Sequence, residues 1–415
     1  MKTINLFLTD MNVSGNTSGV DRYLSVLMDG LKHYPHVNVC RINFRHDPEQ
    51  LLCTESVKDN YKEVVIPMPV SPDEMISKEF WTDRYYAVAY HITQHLFEGK
   101  ENILFHLHTL NLMDFALTVK KHHPGCRIIT HLHCIPWKSW YNSNISRFNK
   151  LYQTVYVDNV KPETGGLLSN HCELRSYQEA DRIICVTQCA KEFLMQMMDI
   201  PAKKIHVIAN GISDKADAGV SVERKNETFR FLYVGVITPS KGLAYILEAM
   251  RKIQQQGYDA SLVVVGKGSK LYMEQIKSSY PDVKVHFTGS IPFEELKDYY
   301  RSCDAGVIAS LQEQCSYVAI EMAMFGLPVI TTAVDGLDEM FSNEENALKV
   351  STRFSKVYGL SVDTEELAKR MKQLMDEDGL RKKLAANVRK RYEECFGLED
   401  MMERTVDIYN DLINE

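Results

Sequence analysis

Two glutamates with seven residues between them, Glu313 and Glu321, stand where a strand pattern gives way to a helix pattern. The stretch runs Ala305-Gly-Val-Ile-Ala-Ser310, a polar loop, then Glu313-Gln-Cys-Ser-Tyr-Val-Ala-Ile-Glu321-Met-Ala-Met-Phe-Gly326-Leu-Pro-Val-Ile-Thr-Thr332. An apolar run ending at Ser310, a helical segment closed by Gly326 and a β-branched run after Pro328 predict strand, loop, helix, strand. Glu313 then precedes the helix N-terminus, and Glu321 lies about one turn inside it. The amides of Tyr317, Val318 and Ala319 fall in the first helical turn, where no acceptor exists within the helix. They point outside the carboxyl end of the strand, the place where doubly wound sheets bind ligands. Phosphate suits the amides and sugar hydroxyls suit the carboxylates. At this spacing alone, two solvated glutamates on an ordinary loop and helix would read the same.

Further residues share this placement at strand ends. Tyr233-Val-Gly235-Val-Ile-Thr-Pro-Ser-Lys241-Gly242 predicts a strand, a glycine turn and a helix beginning near Gly242, so that Lys241 can neutralise a diphosphate leaving group. Gly266-Lys-Gly268 follows a very apolar strand and opens a helix, allowing the backbone to approach a nucleotide closely. It lacks the third glycine and later acidic residue of a dinucleotide fingerprint, which argues against a nicotinamide cofactor. His106-Leu-His108 and His131-Leu-His133 each end a strand, with both histidines of a pair on one side of it. Four such residues have the types of a metal site, but hydrogen-bonded strand-end histidines are the plainer reading, and the expectation is no metal. The aromatic run Pro136-Trp137-Lys-Ser-Trp140-Tyr141 suits sugar stacking and core filling equally.

These residues require parallel sheets to hold them. Strands are predicted at Ile4–Leu8, Asn38–Asn43, Ile103–Leu107, Ile128–Leu132, Arg182–Val186 and Lys204–Ile208. A second set is predicted at Phe229–Val234, Ser261–Val265, Val283–Phe287, Ala305–Ala309 and Pro328–Thr331. Amphipathic helices such as Gly19–Leu31 and Trp81–Leu96 fill the gaps, so the fold class is α/β with two doubly wound sheets. The join falls near residues 210–226, where small and polar residues replace the apolar periodicity, a hinge candidate. Residues 47–72 are the least regular stretch. The basic helix pattern of Gly379–Phe396 reads as a solvated face, with contact to an anionic membrane surface as the alternative.

At 415 residues, with 45% apolar and 25% charged content, the chain has the size of two globular domains. A net charge of −7 argues against general nucleic-acid binding. Asn5 and Asp10 interrupt the N-terminus too early for a signal peptide, and no apolar run reaches a transmembrane length. Ten cysteines without CxxC spacing point to a reducing cytoplasm, with peripheral contact at the inner membrane face left open.

Glu313, Glu321, Ala323, Gly326, Pro328-Val329 and Glu339, together with the loops at Gly235, Lys241-Gly242, Gly266, Val285–Gly289 and Asn210-Gly-Ile212, resemble the signature of glycosyltransferase family 4. The likeness extends over nearly the whole chain. It implies the GT-B fold, two Rossmann-like domains facing across a cleft: an acceptor-side domain 1–210, a nucleotide-sugar domain 211–396 and a final helix 397–415 crossing back. It implies a retaining hexosyltransferase that moves a sugar from a nucleoside-diphosphate donor to a glycan, lipid-linked or peptide hydroxyl, without a cofactor. In this resemblance His133, Lys241 and Glu313 act on the reacting sugar and diphosphate. Gly15, Gly235, Gly266, Gly268, Ser316, Tyr317, Val318 and Glu321 bind donor, Glu321 at the ribose, while His108 and Trp137 face the acceptor. The chain departs from the pattern at Val236, where arginine is usual, and at Cys315-Ser316-Tyr317, where Phe-Gly and an apolar residue are usual. An inactive donor-binding partner of a glycosylation complex, or a sugar-nucleotide epimerase or hydrolase of the same fold, are the alternatives.

Overall fold

Parallel strands alternate with helices along the chain because the strand segments are apolar on both faces and the helices on one. The computed structural model describes residues 2–13, 18–58, 60–70, 79–141, 143–153, 173–216 and 228–415. They form two compact units, one of residues 1–134, 149–209 and 398–415, the other of residues 135–148 and 210–397.

The first unit is built on strands β1 (Ile4–Val13), β2 (Val37–His46), β3 (Thr54–Val57), β4 (Tyr61–Pro67), β5 (Ile103–Leu107), β6 (Arg127–Leu132), β7 (Arg182–Cys185) and β8 (Ile205–Val207). They lie in the order β3-β4-β2-β1-β5-β6-β7-β8, parallel except for the antiparallel β3–β4 edge. Helix Gly19–Leu31 follows β1, and its start is fixed by a capping box between Ser18 and Asp21. It buries Tyr23, Leu24, Leu27, Met28 and Leu31, one stripe at helical spacing. The final helix, Leu398–Asn414, packs on this unit and buries Met401, Met402, Thr405, Val406 and Tyr409.

The second unit carries β9 (Phe229–Val234), β10 (Ala260–Val265), β11 (Val285–Gly289), β12 (Ala305–Ile308), β13 (Val329–Thr332) and β14 (Leu348–Val350). All are parallel, in the order β11-β10-β9-β12-β13-β14. An antiparallel hairpin, β15 (Thr352–Ser355) and β16 (Gly359–Val362), follows. Strand order reverses between β9 and β12 here, and between β1 and β5 in the first sheet. At such a switch point the flanking loops diverge and leave a crevice at the carboxyl ends of the strands.

Several expectations need correction. Residues 135–148, assigned to a first domain ending at 210, pack with the second unit. The irregular stretch 47–72 contains β3 and β4, whose Val64, Val65 and Ile66 are buried. Charged residues at Lys62 and Glu63 and the closing Pro67 hide that strand from a period-two reading. The strand predicted at Val283–Phe287 runs two residues later, and β14 to β16 are too short to show periodicity. The solvated face expected of the helix Asp378–Cys395 needs no such correction, since Lys382, Lys383 and Lys390 are exposed and its ion pairs lie at the surface. Arg381 meets Asp378, Arg389 meets Asp214 and Glu393, and Lys382 meets Asp378. Of the hinge candidate, residues 217–226 lie outside the described residues. No helix among the described residues is long and apolar enough to cross a membrane.

Candidate functional site

The switch point of the second sheet gathers three loops, after β9, β10 and β12. The first leaves β9 through Gly235, turns as a short 3-10 helix over Pro239–Lys241 and enters helix Leu243–Gln255. Gly242 caps that helix at φ +75°, and a Cβ there would lie 1.9 Å from the Ala309 carbonyl oxygen, so only glycine lets this turn lie against the end of β12. The second loop, Gly266–Ser269, is knitted to the first by hydrogen bonds from the Gly235 amide to Val265 O (2.9 Å) and the Ile237 amide to Lys267 O (2.8 Å). A Cβ on Gly266 would meet Gly235 O at 1.9 Å. Ser269 caps the helix Lys270–Ser279 that follows. In the third loop, the Leu311 amide donates to Ser240 O at 2.8 Å, and Thr332 Oγ1 donates to Ser310 O at 2.6 Å.

This scaffold brings Lys241 and Glu313 together. Lys241 Nζ stands 2.5 Å from Glu313 Oε1, and the Ser310 hydroxyl donates to the same oxygen at 3.3 Å. The Glu313 carbonyl accepts from the Gly336 amide at 2.9 Å, which fixes the loop on the other side. Ser316 caps helix Tyr317–Met324, its hydroxyl accepting from the Ala319 amide at 3.4 Å. The Ala319 amide, expected to face a ligand, is therefore engaged by the cap, and the amides of Ser316, Tyr317 and Val318 are the ones at the positive end of the helix. Glu321 is nearly buried at 6% exposure, and its Oε2 accepts from the Tyr300 hydroxyl at 2.8 Å. One glutamate thus sits in the loop beside a cation, and the other inside the helix on a tyrosine.

Cys315, an apparent departure in the motif, has a structural task. Its carbonyl accepts from Asn210 Nδ2 at 2.7 Å and its sulfur from the Asn210 amide at 3.3 Å. Burial pushes the thiol up to about 12, so it stays neutral. Val236, in contrast, is exposed at 49%, an apolar side chain on the rim of this loop. Sequence reasoning missed Asp335, which has φ +43° and is ion-paired with Lys138 of the segment 135–148. Burial raises its carboxyl and the Lys138 ammonium opposes that rise. Asp335 is a non-glycine residue in the left-handed region beside Glu313, a conformation that aspartate adopts more readily than most side chains. No feature of the sequence signals it.

Trp137 was expected at the acceptor. It is 4% exposed and stacks on Phe148 at 4.5 Å, a core ring of its segment. Gly15 lies outside the described residues.

In the first unit the two histidine pairs meet. His106 Nε2 is 3.1 Å from His131 Nδ1, His108 Nδ1 is 3.0 Å from His133 Nε2, and His106 Nδ1 is 2.7 Å from the Tyr409 hydroxyl of the final helix. The His131 and His133 rings stack at 4.0 Å, and the Tyr23 ring lies edge-on to both. Burial lowers all four, His106 and His133 to about 3 and the other two well below the usual imidazole value. They are neutral at pH 7. His108 is 4% exposed and bonded to His133, which places it behind His133 rather than on an open acceptor surface.

Two family models match successive stretches of the chain, Glycosyltransferase Family 4 over residues 45–215 and Glycosyl transferases group 1 over residues 215–391. An uncharacterized glycosyltransferase of Methanocaldococcus jannaschii is 27% identical over 300 residues, 67% of this chain and 74% of that protein. The phosphatidylinositol N-acetylglucosaminyltransferase GPI3 subunit of Saccharomyces cerevisiae is 28% identical over 183 residues, 42% of this chain and 40% of that one. Among solved structures, sucrose-phosphate synthase from Thermosynechococcus elongatus superposes with a TM-score of 0.74 at 18% identity, covering 99% of both chains. Anabaena HepE in complex with UDP-glucose superposes with a TM-score of 0.68 at 14% identity, covering 98% of this chain and 100% of that one.

Proposed function

The chain belongs to the group 1, family 4 glycosyltransferases of GT-B fold, and we propose that it moves a hexosyl group from a nucleoside-diphosphate sugar to an acceptor hydroxyl with retention at the anomeric carbon. The observation that carries this reading is the Lys241–Glu313 contact at the switch point, beside the N-terminus of helix Tyr317–Met324. One cation and one end of a helix dipole there suit a diphosphate, and a carboxylate within reach suits the hydroxyls of the sugar attached to it. The bond from the anomeric carbon to the diphosphate oxygen breaks as the acceptor oxygen bonds to the same face. The acceptor proton passes to the departing phosphate oxygen, so no protein base is required. Lys241 and the amides of Ser316 to Val318 stabilise the charge growing on that leaving group. They take the place of a metal ion at the diphosphate. His133, neutral and oriented by His108, is assigned to the transferred sugar. HepE, whose structure holds UDP-glucose, supports a sugar nucleotide as the donor class. The acceptor class stays a glycan, a lipid-linked sugar or a peptide.

The test separates the two glutamates. Glu321→Ala weakens both the nucleoside diphosphate and the intact donor. Glu313→Ala spares the diphosphate and impairs the intact donor or its turnover. A lost carboxylate hydrogen bond costs about 1.5–3 kcal/mol, roughly tenfold or more in affinity or rate. Tyr300→Phe controls for indirect loss, since Glu321 also accepts from Tyr300. If both glutamate variants bind diphosphate and transfer sugar like the parent, the assignment is wrong. Donor binding by the parent without transfer to any acceptor would favour a non-catalytic partner.

A further inference from the structure

The histidine cluster of the first unit lies where the neighbouring strands β5 and β6 end, and one ring nitrogen from each of His106, His108 and His131 lies within 4.8 Å of the others. All three residues are at most 4% exposed. A neutral imidazole carries one donor and one acceptor, so a closed hydrogen-bonded set must pair every donor with an acceptor. This set does not close. His108 Nε2 and His131 Nε2 are buried and without a partner among the described residues. Whichever tautomers the rings adopt, each of these atoms is an unused N–H or an unused lone pair. Burying either one unpaired is costly.

We propose that His106, His108 and His131 bind a divalent zinc-class ion through their ring nitrogens. The outer contacts fit that role. In His106, Nε2 faces His131 while Nδ1 is held by the Tyr409 hydroxyl, and in His108, Nδ1 is held by His133 Nε2, which leaves Nε2 as its available nitrogen. A ligating histidine is oriented in this way by a partner on its second nitrogen. The 3.1 Å separation of His106 Nε2 and His131 Nδ1 is close to the ~3.3 Å expected between two nitrogens bound tetrahedrally at roughly 2.0–2.1 Å, so His131 would bind through Nδ1, and the unpartnered atom that the ion satisfies is His108 Nε2. Three neutral nitrogens without a carboxylate favour zinc, nickel or cobalt over magnesium or calcium. Arg41, whose charge reaches His108, is already offset by Asp10 and Glu63. The ion would bind the ends of two central strands and, through Tyr409, the final helix. This replaces the expectation of no metal and does not depend on the assignment of the transfer reaction, because the ion is not placed at the diphosphate.

The full-length protein, freed of metal by chelation, is titrated with zinc and separately with cobalt. The expected result is one ion per chain, a visible cobalt spectrum of the tetrahedral type and a raised melting temperature. His106→Asn abolishes the cobalt spectrum. Tyr409→Phe, which removes only the outer partner, weakens binding by about tenfold to a hundredfold. Circular dichroism confirms that each variant is folded. Binding of less than one ion by the folded parent overturns the proposal. So does a cobalt spectrum that both folded variants reproduce at the parent affinity, since the metal would then sit elsewhere.

Discussion

Acid should unfold the first unit earlier than an ordinary α/β domain, because four histidines are buried there as neutral rings. His106, His108, His131 and His133 have their imidazoles lowered by burial in the folded state and recover the ordinary value of 6.5 when the chain unfolds. A histidine lowered on folding contributes stability above pH 6.5 and loses it as the pH falls, since only the unfolded state takes up the proton. Each pH unit below 6.5 therefore costs about 1.4 kcal/mol per histidine, or roughly 2 kcal/mol each between pH 7 and pH 5. Four histidines give about 8 kcal/mol. Glu173 works in the opposite direction. It is buried on Tyr177 with its carboxyl raised from 4.5 to about 7. It stabilises the fold at low pH and loses that contribution as the pH rises through 7, so it returns roughly 2 kcal/mol between pH 7 and pH 5. The net loss is about 6 kcal/mol, a large share of the roughly 5–15 kcal/mol typical of a folded protein. Urea denaturation of metal-free protein at pH 7, 6 and 5, with hydrogen exchange over residues 103–133 reporting the first unit, measures it. His131→Asn should reduce the pH-dependent loss by about 2 kcal/mol, one proton's worth. If the parent and the variant lose the same stability over this range, the histidines are protonated within the fold and the reasoning fails.

Glu173→Gln removes the opposing contribution, so the loss between pH 7 and pH 5 should steepen by roughly 2 kcal/mol in the same denaturation series; an unchanged slope would show that Glu173 is ionised in the folded state. Val236→Arg places a cation on the exposed rim beside Lys241 and should tighten nucleoside diphosphate binding by about 1–2 kcal/mol in calorimetry. Weaker binding by the folded variant would mean that this loop turns its rim away from the diphosphate. Gly242→Ala combines a left-handed backbone with a Cβ 1.9 Å from Ala309 O; it should cost ~2 kcal/mol or more and displace Lys241. A variant with parent stability and parent diphosphate affinity would rule out that close approach.

The sequence by itself determined the two parallel sheets, because a buried parallel strand must be apolar over its whole length and the connecting helices must show a 3.6-residue stripe. Runs such as Phe229–Val234 and Ser261–Val265 admit little else, and Gly19–Leu31 carries its own capping box. Glycine positions near strand ends were legible for the same local reason, and the spacing of Lys241, Glu313 and Glu321 placed them at strand and helix ends. Short or charged edge elements were not legible. Strands β3 and β14 to β16 have too few residues to establish a period, and Lys62, Glu63 and Pro67 hide that of β4. Tertiary structure alone decided which of these residues meet. Lys241 and Glu313 are 72 positions apart and touch only because strand order reverses between β9 and β12. His106 meets Tyr409 across 303 positions because the final helix returns to the first unit. Asp335 and Lys138, and the burial of Trp137 against Phe148, follow from a short segment packing with the unit that its neighbours in sequence do not join. Local patterns report what one element needs for its own burial, whereas these contacts depend on how elements far apart in the chain share a core. That information enters only when the sheets are ordered.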